Sequence, residues 1–282
     1  MEQGLISENS KVVLVNDGSK DKTWEIITKI HKENHMYVGI NLTRNRGHQN
    51  ALLAGLMYAK NHADICISMD ADLQDDINVM DDMIKKYNAG ADVVYGVRSS
   101  RKKDTFFKKF TAEAFYKLMN IMGVEVVFNH ADCRLMSKRA LEGLSEFKEV
   151  NLFLRGIVPQ VGYKTDIAYY ERSERVAGES KYPLKKMLAF AIDGITSFSI
   201  KPLRMITSIG FIILILSFVV LIYSIIMKLI GNTVSGWTFI VCSIWLIGGI
   251  QTLCLGVIGE YIGKIYKETK ARPRYIIECV LD

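Results

Sequence analysis

The stretch Ile65-Cys66-Ile67-Ser68-Met69-Asp70-Ala71-Asp72-Leu73-Gln74-Asp75-Asp76 decides the reading of this chain. Its first half is a short apolar run, the pattern of a buried strand, and its second half is acidic. In an extended chain residues i and i+2 project to one side, so Asp70 and Asp72 are expected to aim at one point, with Gln74 repeating the spacing. Two carboxylates so placed repel each other unless a cation lies between them. Hard oxygen donors suit Mg²⁺ or Mn²⁺, which keep positions open for phosphate oxygens. The expected metal ligands are therefore Asp70, Asp72 and Gln74, and the ion would neutralise a departing diphosphate. Asp75 and Asp76 read as a solvated acidic helix start, because Asp favours caps.

Outward from this stretch, apolar strands alternate with helical periodicity. Strands are expected at Val12–Asn16, Met36–Leu42, Ile65–Met69, Asp92–Val97, Asp132–Ser137 and Tyr163–Tyr170. Helices are expected at Lys22–Asn34, His48–His62, Val79–Asn88 and Phe106–Met122. This order predicts an α/β fold, a mostly parallel sheet with helices on both faces. Ligands of such sheets bind at the carboxyl ends of the strands, and the polar clusters fall there. Asn16-Asp17-Gly18-Ser19 ends the first strand with a carboxylate and a glycine turn, suited to a base N–H or a ribose hydroxyl. Asp132-Cys133-Arg134 places a carboxylate and a guanidinium on a later strand, equally readable as a plain ion pair. His31 and His35 stand four apart at a helix end, and a solvated terminus is the simpler reading than a metal pair.

The last third of the chain reads differently. Met205–Met227 and Trp237–Ile258 contain no charged residue. At 1.5 Å per residue each is long enough for a hydrocarbon core of about 30 Å. Lys and Arg crowd both outer flanks, while the turn between the spans carries only Lys228. That bias puts both flanks in the cytosol. Pro183–Ser199 has apolar residues at helical spacing and is expected to lie in the headgroup layer. The chain thus divides into a cytosolic α/β domain at 1–171, a juxtamembrane segment at 172–204, two spans within 205–258 and a cytosolic tail at 259–282. Arg98, Arg101, Arg172, Arg175, Ser180 and Lys181 lie at a strand end or just before the interfacial helix, where they could hold a lipid phosphate.

Composition agrees. Of 282 residues 49% are hydrophobic, and the mean hydropathy is +0.13. A net charge of +6 is too mild for a nucleic-acid binder. Five cysteines without a CxxC spacing argue against a disulfide framework or zinc ribbon. No GxGxxG, Walker, HExxH or GxSxG pattern occurs. Gly248, Gly249 and Gly256 would permit close helix contact between copies in a homo-oligomer.

Together, Asn16-Asp17-Gly18-Ser19, Asp70-Ala71-Asp72-Leu73-Gln74, Ala131-Asp132-Cys133-Arg134 and Gly178-Glu179-Ser180-Lys181-Tyr182-Pro183 resemble the family 2 glycosyltransferases of GT-A fold. Within them the chain is similar to membrane-anchored polyprenyl-phosphate glycosyltransferases, such as bactoprenol glucosyltransferases. The closing Gly256-Val257-Ile258-Gly259-Glu260-Tyr261-Ile262-Gly263 and Arg272-Pro273 add to the likeness, which covers nearly the whole chain. The resemblance implies inverting transfer of a hexose, glucose by first choice, from a UDP-sugar to undecaprenyl phosphate at the cytoplasmic face of the membrane. It implies Asp132 and Asp72 as catalytic residues, Asp17 and Asp70 at the nucleotide, and Mg²⁺ or Mn²⁺ on Asp70, Asp72 and Gln74. Arg98, Arg101, Arg172, Arg175, Ser180 and Lys181 would grip the lipid phosphate. Dolichyl-phosphate mannose synthases are close relatives, so a GDP-mannose donor stays open, as does a non-catalytic membrane interaction protein. The Gln-x-x-Arg-Trp motif of processive polysaccharide synthases does not occur. Family members open on an apolar strand and a Pro-x-Tyr-Asn-Glu-like turn that Met1–Ser10 does not contain. A gap in the sheet, flanked by two strands with unpaired backbone groups, is expected in its place.

Overall fold

The computed structural model describes residues 7–72, 74–98, 121–122, 130–171, 195–197, 199–231 and 236–282. The elements in chain order are β1 Val12–Asn16, α1 Thr23–Glu33, β2 Tyr37–Leu42, α2 His48–His62, β3 Ile65–Ser68, α3 Val79–Asn88, β4 Val93–Arg98 and β5 His130–Ser137. They continue with α4 Lys138–Ser145, α5 Leu154–Gln160, β6 Thr165–Tyr170, α6 Lys201–Leu229, α7 Trp237–Lys270 and β7 Ile277–Leu281. The expected helix at Phe106–Met122 and interfacial helix at Pro183–Ser199 lie almost wholly outside the described residues.

The strands form two sheets, ordered β1-β2-β7 and β3-β5-β4-β6. β1 and β2 are parallel, in register from Val12 opposite Tyr37 to Asn16 opposite Asn41. β7 lies antiparallel on β2. In the second sheet β5 is antiparallel to both β3 and β4, whereas β6 is parallel to β4. The α/β class holds, but the strand directions are mixed rather than mostly parallel. Among the described residues β5 runs antiparallel to both its neighbours and β7 to β2, which leaves β1–β2 and β4–β6 as the parallel pairs. The expected gap shows as the split into two sheets. Among the described residues, β1 and β3 each have a strand partner on one side only.

Helix α2 joins the two halves. Ala51 and Ala54 pack with Val13, Val15, Ile40 and Leu42 of the first sheet. Leu53 and Leu56 pack instead with Met136, Leu141, Leu144, Leu154 and Ile157, and partly buried Cys66 joins that cluster. Fully buried Met83 on α3 seals the other face of the second sheet, against Val94 and Leu135. Local signals explain the starts of these helices. Ser137 Oγ accepts the Ala140 N–H at 3.2 Å and caps α4. Gly47, at φ +87°, takes the left-handed turn that opens α2.

Helices α6 and α7 are long and apolar enough to cross a membrane, over Lys201–Met227 and Leu246–Lys270. Their large apolar side chains, Phe211, Phe218, Leu253 and Leu255 among them, are exposed. The residues after α7 do more than trail away. β7 adds a strand to the first sheet, and Arg274 Nη1 donates to the Phe147 carbonyl at 3.0 Å.

Candidate active site

The strand ends converge on the first turn of α2. At the end of β1, Asp17 accepts the backbone N–H groups of Arg46 at 2.7 Å and Gly47 at 2.9 Å, one on each carboxylate oxygen. Gly18, at φ +63°, makes the turn that allows this, and an added Cβ would stand 2.4 Å from the Arg44 carbonyl carbon. The loop held in this way delivers His48. Its Nε2 lies 2.9 Å from Asp70 Oδ1, and its Nδ1 lies 4.0 Å from Asp132 Oδ2. One ligand atom from each of His48, Asp70 and Asp132 fall within 4.8 Å of one another. Three carboxylates far apart in sequence are therefore tied to the segment Arg46–His48.

Asp132 sits on β5, its backbone carbonyl accepting the Ser68 hydroxyl at 2.9 Å. Arg155, on α5, grips it with two bonds: Nε to Oδ1 at 3.1 Å and Nη2 to Oδ2 at 3.0 Å. Fully buried Arg134 adds Nη2 to Oδ1 at 3.2 Å. Burial pushes the Asp132 carboxyl up, but Arg155 first, then Arg134 and His48, outweigh it and hold the group at about 2. His48 is shifted the other way. Its hydrogen bond to Asp70 raises it above the ordinary imidazole value, against the cost of burial. Asp132 and Arg134 thus form the ion pair that the sequence allowed, and Asp132 stands close to Asp70 and His48.

The turn after β3 departs from simple alternation. The strand ends at Ser68, and Ala71 and Asp72 lie in a turn. Asp72 Oδ1 accepts the N–H of Gln74 at 3.1 Å, and Gln74 is buried. Asp75 is not a solvated helix start. It is buried and accepts the Tyr170 hydroxyl at 2.6 Å, which fastens the acidic turn to the end of β6. Asp76 does serve the helix approach, accepting the Asn78 N–H at 3.0 Å. His31 is likewise buried rather than solvated, and its Nδ1 donates to the Tyr37 carbonyl at 2.7 Å.

Hard oxygen donors at a half-exposed strand end fit a divalent cation. Asp70, with its side chain 31% exposed, is open to one, whereas both Asp132 oxygens are already engaged by guanidinium groups. Arg98 closes β4, while Arg101, Arg172, Arg175, Ser180 and Lys181 lie outside the described residues. Sequence reasoning did not single out His48, Gln49 or Arg155. The signal for Arg155 was weak, a lone cation in Phe153-Leu154-Arg155-Gly156. Only the packing of α5 brings it to Asp132.

Comparison with known proteins gives this arrangement its context. The pattern of the family described as Glycosyl transferase family 2 matches residues 2–145. A Bacillus subtilis protein named "Uncharacterized glycosyltransferase YkoT" is 54% identical over 281 residues, all of this chain and 83% of its own length. The "Prophage bactoprenol glucosyl transferase homolog" of Escherichia coli is 44% identical over 98% of this chain and 90% of its own length. The "Bactoprenol glucosyl transferase" of Shigella phage SfX is 44% identical over 95% of this chain and 88% of its own. With a family pattern over half its length and such identity almost from end to end, this chain is a transferase belonging to glycosyltransferase family 2.

Proposed function

We propose that this protein transfers glucose from UDP-glucose to undecaprenyl phosphate, with inversion, at the cytoplasmic face of the membrane. The observation that carries the reading is the meeting of Asp70 and Asp132 at His48, in a chain 44% identical to bactoprenol glucosyl transferases that also has two membrane-length helices. Those helices would keep a polyprenyl acceptor and the α/β domain at one surface.

In the reaction an oxygen of the acceptor phosphate forms a bond to the anomeric carbon. The bond from that carbon to the nucleotide's diphosphate oxygen breaks, and its electron pair leaves with UDP. A phosphate monoester is mostly ionised near neutral pH, so there is little proton to remove. A carboxyl at about 2 is also a poor base. Asp132 therefore orients the reacting groups rather than deprotonating them, and positioning supplies most of the rate effect. Asp17 shapes the nucleoside side of the pocket by fixing the Arg46–Gly47 loop. Asp70 and Asp72, with Gln74, would hold Mg²⁺ or Mn²⁺, whose charge neutralises the diphosphate. Arg98, Arg101, Arg172, Arg175, Ser180 and Lys181 would bind the lipid phosphate.

The test is transfer of radiolabel from UDP-glucose to undecaprenyl phosphate by the full chain in vesicles with Mn²⁺ or Mg²⁺, with GDP-mannose as the parallel donor. Labelled lipid is expected from UDP-glucose, and none from Asp72→Ala or after chelation. Turnover that survives both treatments would overturn the mechanism. Preference for GDP-mannose would reassign the donor.

A further inference from the structure

We infer that Glu268, near the end of α7, is a positioning residue that sets Arg155 on Asp132 and so couples the membrane helix to the reacting centre. The inference rests on the transferase reading above. Glu268 places its two carboxylate oxygens on two consecutive backbone N–H groups, Oε2 on Val150 at 2.8 Å and Oε1 on Asn151 at 2.7 Å. Charge-assisted bonds of this type are about twice as strong as neutral ones. They fix the loop that runs straight into α5. Four residues after Asn151 comes Arg155, with its two bonds to Asp132.

The start of α5 has a second clamp. The Leu154 N–H donates to Gln49 Oε1 at 2.8 Å, and Gln49 follows His48 in the first turn of α2. Phe153, Leu154, Ile157 and Val158 are buried, so the short helix has little freedom apart from these anchors. Arg155 is thus held between the element that carries His48 and the element that comes from the membrane.

α7 can transmit position. It is one helix of 34 residues, ~51 Å long at 1.5 Å per residue. Tyr261, Lys264 and Glu268 lie on one face by helical spacing; Glu268 bonds to the α/β domain, and the other two bond to the residues just before α6. Tyr261 donates its hydroxyl to the Ser199 carbonyl at 2.6 Å, and Lys264 Nζ donates to Ser197 Oγ at 2.9 Å. Asn151 Nδ2 donates to the same Ser197 oxygen at 2.7 Å, so the loop is tied to α7 twice. This face is engaged from Tyr261 onward, so the part of α7 in lipid precedes it. The carboxylate at the far end then fixes Asp132 with respect to the bilayer that holds the acceptor.

The experiment is a double-mutant cycle on the full chain in vesicles, with Glu268→Gln and Arg155→Lys. The glutamine keeps the shape but presents an NH2 group to one of the two N–H donors. Glu268→Gln is expected to lower kcat by about 10- to 100-fold, the scale of a small misplacement of reacting groups. The UDP-glucose dissociation constant should stay unchanged. The double variant should lose no more than the weaker single variant, because both changes act on one placement. Unchanged kcat in Glu268→Gln, losses that multiply, or an equal loss of nucleotide affinity would each overturn the inference. Hydrogen exchange at the amides of residues 150–156 provides a readout independent of turnover. Faster exchange around Arg155 in Glu268→Gln supports the coupling, and unchanged exchange sinks it. A wild-type chain that transfers no sugar would sink the functional reading and leave this second readout to decide the coupling. Where Glu268→Gln does not fold, Glu268→Asp replaces it in the same cycle, since it keeps the charge but draws both oxygens back by one methylene.

Discussion

Asp132 is surrounded by cations on β5, α5 and α2, and its chemistry follows from that. Its carboxyl is depressed to about 2, so what it contributes is present above the ordinary carboxylate range and is lost only as pH falls through about 2. From about pH 5 to pH 8, kcat is therefore expected to show no limb from Asp132, which a pH–rate profile checks directly. Asp132→Asn keeps the shape and removes the charge that orders Arg155 and Arg134. A fall in kcat of about 100-fold or more is expected from lost positioning, read in steady-state kinetics with nucleotide affinity measured alongside. Asp92 makes a contrasting case away from the site. The Arg139 hydrogen bonds, helped by Ser137 Oγ, hold its carboxyl below the ordinary value despite burial. Asp92→Asn should cost ~1.5–3 kcal/mol of stability, the range for hydrogen bonds to charged groups, seen as a lower unfolding temperature with kcat unchanged. The contribution of this pair should fade only below the ordinary carboxylate range as the folded-state value is crossed.

Among the elements, the short turns carry the site and the helices carry the packing. The β1–α1 turn needs glycine at position 18 for two reasons, a left-handed φ of +63° and the 2.4 Å approach to Arg44. Gly18→Ala should cost about 1–2 kcal/mol from the backbone conformation alone, and more from the clash. It should also weaken nucleotide binding, because the Asp17 grip on the loop shifts. Calorimetric titration with UDP, beside a melting curve, separates the two effects. Leu141 on α4 is fully buried in the apolar cluster that α2 and α5 also line. Leu141→Ala should lose ~2–5 kcal/mol through the cavity it leaves. Its nucleotide dissociation constant should match wild type below the melting temperature.

For the whole molecule, the chain's last strand closes what its first strand begins. β7 pairs with β2, and Glu278 Oε2 accepts from Asn41 Nδ2 at 2.7 Å, which in turn accepts from Asn16 Nδ2 at 2.7 Å beside Asp17. Ending the chain after Ala271 should therefore speed hydrogen exchange in β2 and weaken nucleotide binding, while α6 and α7 keep the protein in the membrane fraction. Unchanged exchange in β2 would show that the β1–β2 pair holds without its outer strand. The split sheet gives a related expectation. β3, paired on one side only among the described residues, should exchange faster than β5, which is paired on both.

Local periodicity by itself determined the strands and helices from Val12 to Arg98, because buried strands and amphipathic helices repeat with periods of their own. Val12–Asn16, His48–His62 and Val79–Asn88 come out with the same ends in sequence and structure. The uncharged runs in α6 and α7 were equally legible, since bilayer length is a matter of counting residues. The acidic turn and Asp132 were legible as carboxylates near strand ends, because that pattern is local, and the structure brings Asp70 and Asp132 together at His48. Tertiary structure alone decided that β5 runs antiparallel and that Asp75 is buried under Tyr170. It also decided that β7 belongs to the first sheet, that His48 and Arg155 meet Asp132, and that Glu268 holds the loop before α5. Those facts depend on contacts between residues 22 to more than 200 positions apart, such as Asn41 with Glu278. Neighbouring residues carry no trace of such contacts, because a side chain's partner across the fold is set by packing and not by the period of its own element.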